Sequence, residues 1–144
     1  MLLSRRCQYG IRAAIYMASR SADSYVSAKE ISRELGISAH YLPKVLQDMT
    51  RAGITRSARG PRGGVSLSRP ATEITIREIL RAVEGASSTI ECPLSVPGCS
   101  GTNRCEFCKR WTSACGQFEG LFDETTIADV GECLALSTAR PDVP

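Results

Sequence analysis

Four cysteines lie close together as Cys92-x6-Cys99-x5-Cys105-x2-Cys108. Thiolates at that density are soft ligands that select an iron-sulfur cluster or zinc. Cys105 and Cys108, three apart at an expected helix start, share one face, so both can address one metal while a Ser/Gly/Pro-rich stretch wraps Cys92 and Cys99 over it. Zinc sites usually pair two close knuckles, and only Cys105-x2-Cys108 is one. Reversible thiol oxidation without a metal is a third chemistry, because Arg104, Lys109 and Arg110 can acidify the thiols beside them. Cys115 is seven residues beyond Cys108, about 10 Å along a helix, too far to share a small site, and reads as interfacial packing. Cys133 reads as a small core residue, and Cys7, on an apolar stripe, as core rather than ligand.

Seven cysteines and a start without a secretion-type apolar run point to reduced thiols in a cytoplasmic protein rather than a disulfide framework. No stretch reaches the ~18 apolar residues that a membrane span needs. A single histidine leaves no Ser/His/Asp or Cys/His arrangement, and no Gly-rich phosphate loop precedes a helix. The expectation is therefore no enzyme. A small iron-sulfur electron carrier, docking an acidic partner through a basic half, is the rival from another functional class.

The elements that must position these cysteines follow from periodicity and caps. Leu3, Cys7, Ile11, Ala14, Ile15 and Ala18 recur at three- and four-residue steps and predict an amphipathic first helix. Ser27-Ala-Lys-Glu30 predicts a capping box at the next helix, with Ile31 and Leu35 inward. Gly36 permits a sharp turn, Ile37 plugs the angle, and Ser38 is the expected cap of a third helix burying Leu42, Val45, Leu46 and Met49. Two helices around a tight turn make a helix-turn-helix. Pro43 is tolerable near that helix's start, and Gly53 closes it.

Ile54–Arg59 and Val65–Ser68 flank a glycine-rich tip and predict a β-hairpin wing. Thr75-Ile-Arg-Glu78 is a second capping box, ahead of a helix with Ile76, Ile79, Leu80 and Val83 inward and Gly85 as its stop. Residues 86–104 lack periodicity and read as a long loop that something must order. Phe107, Trp111, Ala114, Phe118 and Leu121 follow a 4-3-4-3 spacing, the apolar seam of a helix that packs against another helix. Thr126-Ile-Ala-Asp129 predicts a last short helix. The fold class is mainly α with a small β wing: a winged helix-turn-helix domain over 1–85, a sensor loop over 86–104, a dimerisation helix and C-terminal helix over 105–138, and a flexible tail over 139–144.

Charge divides along the chain. Residues 1–70 hold twelve Lys/Arg against four Asp/Glu, a formal +8, and the remainder six against eleven, a formal −5. The basic half predicts a polyanionic partner. In a helix-turn-helix the second helix enters the major groove of double-stranded DNA, which here nominates Ser38, Ala39, His40, Tyr41 and Lys44. Arg59 and Arg62 on the wing suit a minor groove or a phosphate, and Arg56 and Arg51 the phosphate backbone.

The string from Tyr41 to Ser68, with its Ser-x-Arg-Gly-x-x-Gly-Gly wing, resembles the regulator family that includes IscR, NsrR and CymR. Met1 to Ala18 and Ile76-Arg-Glu-Ile-Leu-Arg-Ala-Val-Glu-Gly85 fit it too. The resemblance implies a homodimer held by a long C-terminal helix, a roughly palindromic operator, and the long loop as sensor. Cluster-binding members carry three loop cysteines spaced much as Cys92, Cys99 and Cys105, with one extra residue here between the first two. IscR-like members place a histidine where this chain has Cys108, which implies an all-thiolate site for a [2Fe-2S] or [4Fe-4S] cluster with Cys108 as fourth ligand. NsrR-like members draw an acid from near the start of the partner subunit, where this chain has Gln8, a poor ligand.

Overall fold

The computed structural model describes residues 3–85, 92–94, 96–97, 99 and 105–138, the last six without side chains. Most of the sensor loop expected over 86–104, the 139–144 tail and the side chain of Cys133 therefore lie outside the described residues.

Helices α1 (Arg5–Ala18), α2 (Ala28–Leu35) and α3 (Leu42–Arg51) precede the strands β1 (Thr55–Ala58) and β2 (Gly64–Leu67); a 3-10 turn at Ala71–Glu73 leads to α4 (Ile76–Glu84), α5 (Glu106–Glu124) and α6 (Ile127–Thr138). Expected and observed inward faces agree closely for α3 and α4. Leu42, Val45, Leu46 and Met49 are buried, as are Ile76, Ile79, Leu80 and Val83. The face of α1 is rotated from the expected one: Cys7, Gly10, Ala13, Ala14 and Met17 are buried, whereas Ile11, Ile15 and Ala18 flank the core half-covered. Gly10 is the cause. A Cβ built there would lie 3.0 Å from Ile79 Cγ2 and 3.5 Å from Met49 Sδ, so its bare surface lets α1 nest against α3 and α4.

Caps differ in a physically informative way. Thr75 and Glu78 complete the expected box, each side chain satisfying the other's backbone amide. At α2 only half of the expected box forms. Ser27 accepts from the Glu30 amide at 3.1 Å, but the Glu30 carboxylate turns to Tyr16 Oη at 2.9 Å and Arg20 at 3.1 Å. The gain from bracing α2 against α1 wins over a local cap. Ser38 also departs from expectation: its carbonyl accepts from the Tyr41 and Leu42 amides, making it the start of a turn, and Tyr41 occupies the N-cap of α3. Gly36, with φ +63°, supplies the left-handed residue the helix-turn-helix corner needs.

The two strands pair antiparallel from Thr55↔Leu67 to Ala58↔Gly64. Val26, on the α1–α2 connection, exchanges both backbone hydrogen bonds with Val65 at 2.9 and 2.8 Å and extends the wing by a third, single-residue rung. That contact explains Gly64: its φ is +142°, and a Cβ would fall 2.3 Å from the Val26 carbonyl oxygen. At Gly63 a Cβ would meet the Ala58 oxygen at the same 2.3 Å. Both glycines are thus required by the protein's own backbone.

After α5 the chain returns to the start of α4. The Ile76 amide donates to Thr125 O at 3.0 Å and the Ile127 amide to Ile74 O at 2.8 Å. Thr126 and Asp129 then cap α6: the Thr126 amide donates to the Asp129 carboxylate at 2.8 Å and the Asp129 amide to the Thr126 hydroxyl at 3.2 Å. The helix lies over α1, with Ile127 fully buried and Gly131 at Ile15.

Candidate nucleic-acid interface and thiol cluster

Helix α3 is anchored from beneath. Asp48 accepts from Arg6 of α1 at 2.5 Å, and the Tyr9 ring meets Tyr41 edge to face at 5.8 Å between centroids. These contacts hold α3 against α1 at its N-cap and in its second half while leaving Ser38, Ala39, His40, Tyr41 and Lys44 exposed. Because the helix begins at Leu42, Ser38 to Tyr41 form the turn leading into it, and Lys44 stands on its first turn. Gln47 shares that exposed face one turn on, three residues beyond Lys44.

Arg59 and Arg62 are exposed around the hairpin loop. Arg56 is turned elsewhere. Its guanidinium donates to Ala22 O at 3.3 Å, approaches Asp23 Oδ1 at 3.8 Å and lies over the Tyr25 ring at 5.6 Å. Arg51 remains exposed, with Asp48 Oδ1 at 3.7 Å.

The thiol cluster forms around the start of α5. Cys105 is its N-cap, and the sulfur accepts from the Cys108 amide at 3.2 Å. That amide, with the Cys108 thiol, holds Cys105 below the ordinary thiol range. Cys108 is buried and pushed up to about 12, first by its hydrogen bond to Cys105, then by burial and by the charge of Cys105, with Cys99 adding to the effect. Cys99 and Cys105 are exposed and Cys92 is half-buried. The sulfurs of Cys99, Cys105 and Cys108 thus meet through Cys108. Among the described residues, no three His, Cys, Asp or Glu side chains are yet disposed to hold one metal ion. As a donor set the cysteines fit a soft metal or cluster, since all are sulfur and a backbone amide already serves the exposed Cys105.

Cys7 lies apart in the core, pushed up to about 12 chiefly by burial and further by Glu84, with Ser4 opposing. Cys115 is half-buried. The remaining face of α5 carries Phe107, Phe118 and Leu121, exposed, with Trp111 and Ala114 half-buried; Phe107 and Trp111 stack at 6.1 Å. The 4-3-4-3 seam therefore lies outside the core of its own chain. No helix among the described residues is long and apolar enough to cross a membrane.

Residues 3–132 match the family described as Rrf2, iron-dependent transcriptional regulator. The chain belongs to the Rrf2 family. It is a transcriptional regulator of winged-helix architecture, a family of regulators and not of enzymes. Among solved structures it is similar to CymR (YrzC), the global cysteine regulator of B. subtilis, at 26% identity and a TM-score of 0.75, over 90% of this chain and 95% of that one. The oxidized form of Staphylococcus aureus CymR matches at 29% identity and a TM-score of 0.71, over 92% and 97%. T. potens IscR, at 24% identity and a TM-score of 0.71 over 99% and 92%, shares the fold.

Proposed function

We propose that this Rrf2 regulator is a homodimer that binds a roughly palindromic double-stranded DNA operator and senses iron-sulfur status, nitric oxide or redox state through a cluster held by Cys92, Cys99, Cys105 and Cys108. The observation that carries the sensor assignment is the meeting of the Cys99, Cys105 and Cys108 sulfurs at the start of α5. The 4-3-4-3 face of α5 supports the dimer: an apolar stripe of exposed Phe107, Phe118 and Leu121 with half-buried Trp111 and Ala114 is stable in water when a second copy covers it. For DNA, the reading set is Ser38, Ala39, His40, Tyr41 and Lys44, with Arg59 and Arg62 on the wing and Arg56 in a supporting position. Binding or loss of the cluster changes the anchorage of α5, and with it the spacing of the two reading heads.

Anaerobic purification with iron, sulfide and zinc analysis tests the cluster directly. Iron and sulfide that fall in Cys108→Ser support it; stoichiometric zinc supports the zinc form of the site. Protein with no metal supports a second reading, a metal-free thiol switch, favoured by the contact between an exposed, acidified Cys105 and Cys108 and by the likeness to a regulator solved in an oxidized form.

A further inference from the structure

Cys105-Glu-Phe-Cys108 places two thiols on the first turn of a nineteen-residue helix, with unequal access. Cys105, at the N-cap, is exposed, and Cys108, one turn in, is 4% exposed. The Cys105 sulfur sits 3.2 Å from the Cys108 amide, which orients it over the turn that carries the second thiol. An entering oxidant reaches Cys105 first, and Cys108, whose amide already bonds the Cys105 sulfur, is placed to resolve the product. Cys99, the other thiol at Cys108, comes from a separate stretch of chain.

We propose that Cys105 and Cys108 form a dithiol–disulfide pair in which Cys105 is the peroxide-reactive thiol and Cys108 the resolving thiol, operating whenever no metal occupies the site. The Cys105 thiolate attacks one oxygen of a hydroperoxide; the O–O bond breaks, sulfur is oxidised to sulfenic acid, and hydroxide, or the corresponding alkoxide, leaves. The Cys108 sulfur then attacks the Cys105 sulfur, an S–S bond replaces the S–O bond, and the displaced oxygen leaves as water carrying the Cys108 proton. In sum two thiols and hydrogen peroxide give one disulfide and two waters. The pair rests on the thiol-cluster reading of the same site and adds to it which two sulfurs join and in which order.

The sequence supplies a sharp assay. Trypsin cuts after Arg104 and Lys109, so Cys105 and Cys108 share one short peptide, while Cys92 and Cys99 fall in the preceding one. Full-length protein, stripped of metal by a chelator, is treated with hydrogen peroxide, alkylated and mapped by mass spectrometry. The expected result is a 105–109 peptide that has lost two hydrogens and resists alkylation, is restored by dithiothreitol, and still forms in Cys99→Ser. In Cys108→Ser, a dimedone adduct is expected on Cys105. A cross-link between the two peptides in place of the internal bond, or dimedone on Cys108 in Cys105→Ser with none on Cys105 in Cys108→Ser, overturns the assignment. Iron and sulfide content, measured on the same preparation before stripping, tests the cluster separately, so either reading can fail alone.

Discussion

Arg77 of α4 directs its guanidinium into the groove with α5, Nε 3.2 Å from Asp123 Oδ1 and a terminal nitrogen 3.7 Å from Glu119 Oε2. Its side chain is 10% exposed, whereas Asp123 and Glu119 are 55% and 40% exposed. A nearly buried cation is thus neutralised by two carboxylates at the solvent edge. This pairing and the Thr125/Ile76 backbone bond tie the thiol-bearing helix α5 to α4.

The asymmetry in burial predicts an asymmetry in mutational cost. Arg77→Ala leaves only carboxylates that water can solvate and should cost about 1–2 kcal/mol, much of the Coulomb gain being screened. Replacing both Glu119 and Asp123 by Ala strands the buried guanidinium and should cost more, about 3 kcal/mol. Urea unfolding followed by fluorescence of Trp111 reads both; an equal or reversed order would remove the counter-charge explanation.

Gly10→Ala should destabilise the fold by about 1–3 kcal/mol, the usual range for overpacking, because the added methyl meets Ile79 Cγ2 at 3.0 Å. Combining it with Ile79→Leu, which removes the Cγ2 branch at nearly constant volume, should recover part of the loss. Thermal unfolding of the two variants and the pair checks this, and strict additivity would show that the α1–α4 crossing is not the cause.

On the DNA side, Arg59→Ala and Arg62→Ala should each weaken operator and unrelated duplex alike and lower the salt slope of log Kd by about 1, as expected for a lost phosphate contact. Arg56→Ala should change that slope little, since Ala22, Asp23 and Tyr25 already occupy its guanidinium, and should instead loosen the wing. Titrations of labelled duplex over a salt series separate the two patterns.

Alkaline stability should report Cys7. Its thiol is raised from 9.0 to about 12 in the fold, so the neutral form contributes fully below pH 9.0, and stability falls as pH climbs from there toward 12 while the unfolded thiol ionises first. Cys7→Ala should flatten that limb relative to the parent chain. Denaturant midpoints across the alkaline range would show it, and parallel curves would mean that burial of Cys7 does not set this part of the pH profile.

Much of the architecture is legible along the chain because its signals are local. The Thr75/Glu78 and Thr126/Asp129 boxes, the Gly36 corner, the alternation around the wing and the apolar spacing of α3, α4 and α5 each involve residues within one or two turns of each other. Those signals in that order indicate a winged helix-turn-helix, and the resemblance of the string from Tyr41 to Ser68 adds the family. The cysteine spacing likewise announced a thiol site, and the helix start brings Cys105 and Cys108 together as a three-residue step requires.

What the tertiary structure decided are the outcomes of competition between distant partners. Glu30 serves Tyr16 and Arg20 instead of the Ser27 amide because α1 lies alongside α2. The inward face of α1 turns on Gly10 meeting α3 and α4, and the wing glycines answer to Val26 and Ala58. Arg56 faces the α1–α2 connection, and Arg77 finds its carboxylates more than forty residues away. Periodicity tells a helix which residues are apolar; only the approach of another backbone determines which small residue must be there and which charge is already taken.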